Sequence, residues 1–133
     1  MTARSEVVIT RAEERKREVW DDPVRGRVSW FTLFSSDRTP TDSMCGGVAE
    51  IVPGGGSLQT HRHEQPEIYF ITEGTGILMI DDREITVSSG SAVFIPGNVE
   101  HGLRNESQAI LRLFYVLPTG AFGDVVYRFR DEG

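Results

Sequence analysis

From residue 28 to residue 129 the chain is built of short runs rich in Val, Ile, Leu, Phe and Tyr, separated by turn-forming residues. The runs fall at 28–34, 47–52, 67–72, 76–80, 83–87, 92–96, 110–117 and 124–129. Between them stand Pro53-Gly54-Gly55-Gly56, Glu73-Gly74, Asp81-Asp82, Ser88-Ser89-Gly90 and Pro96-Gly97-Asn98. Helical periodicity is absent after residue 20, and several short strands at close, regular spacing fold as a sandwich or a barrel. The fold class is therefore all-β.

The first residues read differently. They begin polar and end in a β-type run, Val7-Val8-Ile9, and Thr10 with Glu13 has the spacing of a capping box. That spacing predicts a short N-terminal helix over about 11–19, charged enough to lie on the surface. The chain divides into an extension, 1–27, and a barrel domain, 28–133. A length of 133 residues suits one core. The net charge of −6 disfavours binding to nucleic acid or to an anionic membrane surface. No apolar stretch approaches the roughly 18–20 residues of a spanning helix. The start lacks an apolar run followed by a small-residue cleavage site, so no secretion signal is expected. Cys45, the only cysteine, is expected to be a free, buried thiol, which fits a cytoplasmic protein.

The placement of the three histidines says most about function. His61 and His63 are two apart, so on a strand both point to one face. Glu67 shares that face if the bend at Gln65-Pro66 keeps register, and His101 arrives from a later segment. Three imidazoles and a carboxylate suit one divalent transition metal; Fe, Mn, Ni, Co, Cu and Zn all accept such a set. Two of six octahedral positions would stay open for water or substrate.

The residues around these donors resemble the two motifs of the cupin superfamily. Gly55, His61, His63, Glu67 and Gly74 match its first motif, G-x5-H-x-H-x3-E-x6-G, at every position. Gly90, Pro96, His101 and Asn105 match the second, with Asn98 where the family usually has glycine; Asn tolerates positive φ better than other non-glycine residues. The resemblance implies a double-stranded β-helix, the jelly-roll barrel of cupins, with His61, His63, Glu67 and His101 as metal ligands. Asn105 could hydrogen-bond backbone in a nearby loop.

Strand alternation predicts the lining. Tyr69 and Ile71 continue the face of Glu67, and Leu103 follows His101. Leu111, Leu113, Tyr115 and Leu117 form one inward phase, and Val125, Tyr127 and Phe129 another. Tyr69 and Tyr127 become candidates for a phenol beside the metal. Ala92, Phe94 or their neighbours are expected to be buried, and Arg62 and Glu64 to face outward.

A narrower resemblance lies in residues 61–76, 96–105 and 117–127, which look like the cupin-type lyases that cleave dimethylsulfoniopropionate to acrylate and dimethyl sulfide. There the ligand Glu is followed by Ile-Tyr, as in Glu67-Ile68-Tyr69, and a Phe-x-x-Val-x-Tyr run matches 122–127. The resemblance implies catalytic roles for Tyr69 and Tyr127. Trp30, Phe34 or Tyr115 could face a sulfonium. An iron-dependent dioxygenase, a polyketide-cyclase-like enzyme and a non-catalytic sugar- or small-molecule-binding module stay open, because one barrel hosts many activities. The partner is expected to be a small-molecule substrate. A homodimer is also expected, through pairing of an exposed N-terminal strand.

Overall fold

The structure, a computed structural model, describes residues 7–130. Its strands are β1 (Arg17–Asp22), β2 (Gly26–Phe34), β3 (Cys45–Ile51), β4 (Gly56–Arg62), β5 (Glu67–Glu73) and β6 (Thr75–Ile80). They continue with β7 (Arg83–Ser88), β8 (Ala92–Ile95), β9 (His101–Asn105), β10 (Leu111–Leu117) and β11 (Arg128–Phe129). Antiparallel pairing joins them into one sheet in the order β7-β6-β9-β4-β2-β3-β10-β5-β8, with β1 added on β2 and β11 on β4. The sheet curls until β7, at one end, touches β5, next to the other end. This is the all-β jelly-roll barrel expected from the sequence. Among the described residues no helix is long and apolar enough to cross a membrane.

The inside of the barrel follows from alternation. In β10, Leu111, Leu113, Tyr115 and Leu117 are buried, while Arg112, Phe114 and Val116 between them are partly exposed. In the pairing of β10 with β5, Tyr115 faces Tyr69 and Leu113 faces Ile71, so the inward rows of the two strands merge. Each fully buried Leu or Ile contributes about 1.5–3 kcal/mol. Turns hold this register. Gly74, at φ 86, joins β5 to β6 where a Cβ would run into the Ile110 carbonyl oxygen.

Several sequence expectations change. The helix over 11–19 shrinks to one 3-10 turn, Ala12–Glu14, and Arg17–Asp22 is strand. Thr10 does not cap that turn: Arg11 occupies the cap position without a side-chain hydrogen bond, and Glu13 pairs with Arg11. Residues 7–9 form no strand, and Val7 and Ile9 are exposed. In β8 the neighbours of Ala92 and Phe94 are the residues that turn inward. Ile95 is buried, whereas Phe94 is 67% exposed, because β8 pairs Ile95 with the inward Glu67 and Phe94 with the outward Ile68. The run at 124–129 is a 3-10 turn at Phe122–Asp124 followed by the two-residue β11, although Val125 and Phe129 are buried as expected.

Candidate metal centre

His61 on β4 lies directly opposite His101, the first residue of β9. His63 follows the end of β4, and after a bend through Glu64-Gln65-Pro66 the chain re-enters the sheet at Glu67. The backbone N–H of Asn98 donates to the carbonyl oxygen of His63 at 2.7 Å, with Asn98 at φ 65. Asn105, fully buried, donates through Nδ2 to the carbonyls of Ile51 and Ala109 at 2.8 and 2.9 Å. It ties the far end of β9 to the end of β3 and to the loop before β10.

Each histidine is aimed by its own backbone. Nδ1 of His61, His63 and His101 lies 2.8 Å from the carbonyl oxygen of Gln59, Gln65 and Val99 respectively. A carbonyl only accepts, so each Nδ1 donates a proton to it and each ring turns its Nε2 inward. The ligand atoms of the three histidines lie within 4.8 Å of one another. Oε1 of Glu67 is 3.1 Å from Nε2 of His63 and 3.3 Å from Nε2 of His101. Nε2 of His61 is buried with no hydrogen-bond partner. Potential metal donors thus converge on one buried point, and leaving Nε2 of His61 without a partner there costs free energy that a bound cation would relieve. Outer hydrogen bonds that fix the ring tautomers are what transition-metal histidines carry. The residues fit one such ion.

Electrostatics agree. Burial, helped by the His101 charge, lowers His61 to about 3, so it stays neutral. Burial pushes the Glu67 carboxyl up, but His101 and His63 outweigh it and hold it below its ordinary value. Burial and the negative charge of Glu67 keep both phenols, Tyr69 and Tyr127, well above the ordinary tyrosine value, so neither ionises unaided.

Both tyrosines stand beside the donors. The Tyr69 ring is 6.1 Å from that of His101, and the Tyr127 ring is 5.0 Å from His61 and 5.3 Å from His63. They border a cavity of about 40 Å³, which Glu67 also lines. Trp20, Trp30, Tyr115 and Phe122 supply its aromatic wall. Trp20 meets Trp30 edge-on at 4.9 Å, and Phe122 stacks on Tyr127 at 5.9 Å. No Lys, Arg or His is among the lining residues. Trp30 and Tyr115 therefore stand where an aromatic face was expected, but Phe34 does not. Trp20 and Phe122 escaped the sequence reading. Trp20 lies in a charged run that carries no β signal, and the only trace of Phe122 was its place in the Phe-x-x-Val-x-Tyr run. Arg62 and Glu64 face outward as expected.

A family model described as Cupin domain matches residues 47–117. The chain belongs to the cupin family. It is 38% identical over 108 residues to dimethylsulfoniopropionate lyase DddW of Ruegeria pomeroyi, spanning 81% of this cupin and 70% of that protein. An uncharacterized protein of Methanocaldococcus jannaschii is 33% identical over 64 residues, 47% of this chain and 51% of its own. Among solved structures, the polyketide cyclase RemF of Streptomyces resistomycificus superimposes with a TM-score of 0.78 at 23% identity, covering 94% of this chain and 86% of that one. A predicted oxalate decarboxylase from Thermotoga maritima gives 0.72 at 21%, covering 84% and 99%. Both share the fold with this cupin. The matched cupin span holds all four donors but leaves out Trp20, Trp30, Phe122 and Tyr127, so much of the aromatic wall comes from chain outside it.

Proposed function

We propose that this cupin is a mononuclear metal-dependent lyase that eliminates across the Cα–Cβ bond of a small carboxylate with a sulfonium leaving group, dimethylsulfoniopropionate being the substrate of choice. The observation that carries the reading is the pairing of four convergent donors with an aromatic cavity that has no basic side chain in its lining. A sulfonium finds ring faces in Trp20, Trp30 and Phe122, since aromatic faces attract cations. A carboxylate finds no Lys or Arg there and is left with the donor set's cation. The likeness to DddW supports the same reaction.

His61, His63, Glu67 and His101 would hold the ion. Once bound, a dication supplies an electron sink for the substrate carboxylate, acidifies the neighbouring C–H and lowers the pKa of a nearby phenol. Tyr69, next on the face of Glu67, is the general base, and Tyr127 orients the substrate against the rings of His61 and His63. The phenolate oxygen takes the α-proton, and the C–H electron pair becomes the new C=C bond. The C–S pair leaves with sulfur, giving acrylate and dimethyl sulfide. The aromatic wall excludes water from the departing sulfur.

Headspace detection of dimethyl sulfide from dimethylsulfoniopropionate, with the protein loaded in turn with Fe, Mn, Ni, Co, Cu and Zn, tests this. Metal-dependent release is the expected outcome. No product with any loaded metal overturns the lyase reading, and oxygen uptake with the iron form would then mark a dioxygenase.

A further inference from the structure

One row of side chains crosses the barrel wall from the cavity to solvent. Strands β5, β10, β3 and β2 lie side by side, and at one level their residues stand directly opposite one another. Tyr69 faces Tyr115, Tyr115 faces Gly47, and Gly47 faces Thr32. Residues directly opposite share a face of the sheet, and Tyr69, Tyr115 and Thr32 are all buried. Gly47 is the gap that joins the row. With no side chain there, the Tyr115 ring lies across β3, and a Cβ on Gly47 would stand 2.8 Å from its hydroxyl oxygen. The phenol thus reaches over β3 towards Thr32.

The Tyr115 hydroxyl is buried and makes no hydrogen bond to any described residue. Burial and the charge of Glu67 hold it well above the ordinary tyrosine value, while the Thr32 hydroxyl, close enough to act on it, pulls the other way. A buried hydroxyl left without a partner costs about 1–3 kcal/mol, which packing alone gives no reason to keep. Beyond it the row continues in hydrogen bonds. Oγ1 of Thr32 donates to Oε2 of Glu18 on β1 at 2.7 Å, and Nη1 of Arg38 donates to the same oxygen at 2.7 Å. Burial raises the Glu18 carboxyl, but Arg38 and Thr32 outweigh it and hold it below its ordinary value. Thr32 and Glu18 also line an outer groove with the exposed Glu14, Lys16 and Arg38. One end of the row therefore borders the cavity through Tyr115, and the other borders water.

We propose that Tyr115, Thr32 and Glu18 form the path by which the proton taken from the substrate leaves the cavity. The inference rests on the elimination proposed above, which leaves one proton behind at each turnover. As that proton arrives on the Tyr115 oxygen, the phenol's own proton passes to Oγ1 of Thr32, and the Thr32 proton passes to Oε2 of Glu18. The Glu18 carboxyl then gives its proton to water in the groove. Both hydroxyls end with one proton each and Glu18 ends as a carboxylate, so the row is ready for the next turnover. Neither Thr32 nor Glu18 lines the cavity, and both act only through Tyr115. Arg38 keeps Glu18 ionised between turnovers.

The proton leaves after the C–S bond has broken, so the path limits only the return of the protein to its starting state. Rapid-mixing measurement of dimethyl sulfide release from dimethylsulfoniopropionate by the metal-loaded full chain is the test. In Thr32→Val the first turnover is expected at the parent rate and later turnovers about 10²-fold slower, so kcat falls while kcat/KM holds. Thr32→Ser is expected to restore kcat. Glu18→Ala is expected to show the same pattern as Thr32→Val, with kcat recovered by added formate, a carboxylate small enough for the groove. Tyr115→Phe is expected to lose kcat likewise, yet its urea midpoint should equal or exceed the parent's, because an unpartnered hydroxyl has been removed. Glu14→Gln, in the same groove but off the path, is expected to match the parent. Should Thr32→Val fail to fold, Glu18→Ala with and without formate decides. Later turnovers at the parent rate in a folded Thr32→Val, kcat/KM falling as far as kcat, or no recovery by formate overturns the path alone. A parent that forms no dimethyl sulfide overturns the elimination itself, and the path with it.

Discussion

The backbone N–H of Asn98 is bonded to the carbonyl oxygen of His63 at 2.7 Å, which fastens the turn leading into His101 to the end of the strand carrying His61. The two halves of the donor set are thus held by main chain as well as by their own side chains. Asn98 makes this bond at φ 65, in a region that costs most L-residues about 1–2 kcal/mol. Asn98→Val is expected to lower the unfolding free energy by about that amount and to reduce metal occupancy, while Asn98→Gly stays near the parent. Urea midpoints with elemental analysis check both.

Metal removal is the second prediction. An ion bound only by the folded chain at a hundred times its dissociation constant adds about 2.7 kcal/mol of stability. Chelation is therefore expected to lower the melting temperature by on the order of 10 °C. In His61→Ala and in His101→Ala the bound metal is expected to fall to a trace and the chelator shift to vanish. A large chelator shift retained in His61→Ala would place the ion elsewhere.

Tyr69→Phe separates chemistry from packing. The ring is buried and bordered by His101, so removal of its oxygen leaves the barrel intact. If Tyr69 is the base, turnover should fall about 10²–10⁴-fold with metal content unchanged. Tyr127→Phe is expected to raise KM more than it lowers kcat. Steady-state rates of dimethyl sulfide release, with metal analysis of each variant, decide this.

Asn105→Ala tests the scaffold away from the chemistry. It removes the side-chain donor to the Ile51 carbonyl and one of two donors to that of Ala109, which keeps Ser107 Oγ, so the expected loss of stability is about 1–3 kcal/mol, read from denaturant unfolding.

The thiol of Cys45 is fully buried, and burial, with the nearby charge of Glu67, raises it to about 11. At pH 8 the folded protein holds almost no thiolate, so a thiol-specific reagent is expected to react only after unfolding. Reactivity should rise as pH approaches 11. Fast labelling of the folded protein at neutral pH would contradict the burial.

Hydrophobic alternation is local, and where it was intact it was legible. β10, β5 and β6 could be read within a residue or two because most of their inward positions are Leu, Ile or Tyr. β4 and β9 left no such signal, since their inward positions include His61, His101 and Asn105. Those two strands were marked by their histidines instead. β1 stayed hidden because Glu18, Val19, Asp21 and Asp22 carry no apolar alternation, and its order comes from pairing with β2 from Arg17↔Phe31 to Asp22↔Gly26.

By itself the sequence determined the all-β barrel, the shared face of His61 and His63 and that of Glu67 and Tyr69, because side-chain parity and motif spacing are properties of neighbours in the chain. Tertiary structure alone decided which aromatics wall the cavity, that Phe94 faces water, and that each histidine's Nδ1 is spent on a carbonyl so that Nε2 is left for the centre. Those facts depend on which distant strands meet. Pairing between β1, β8 and the rest of the sheet is fixed by the closure of the barrel, not by any local run of residues.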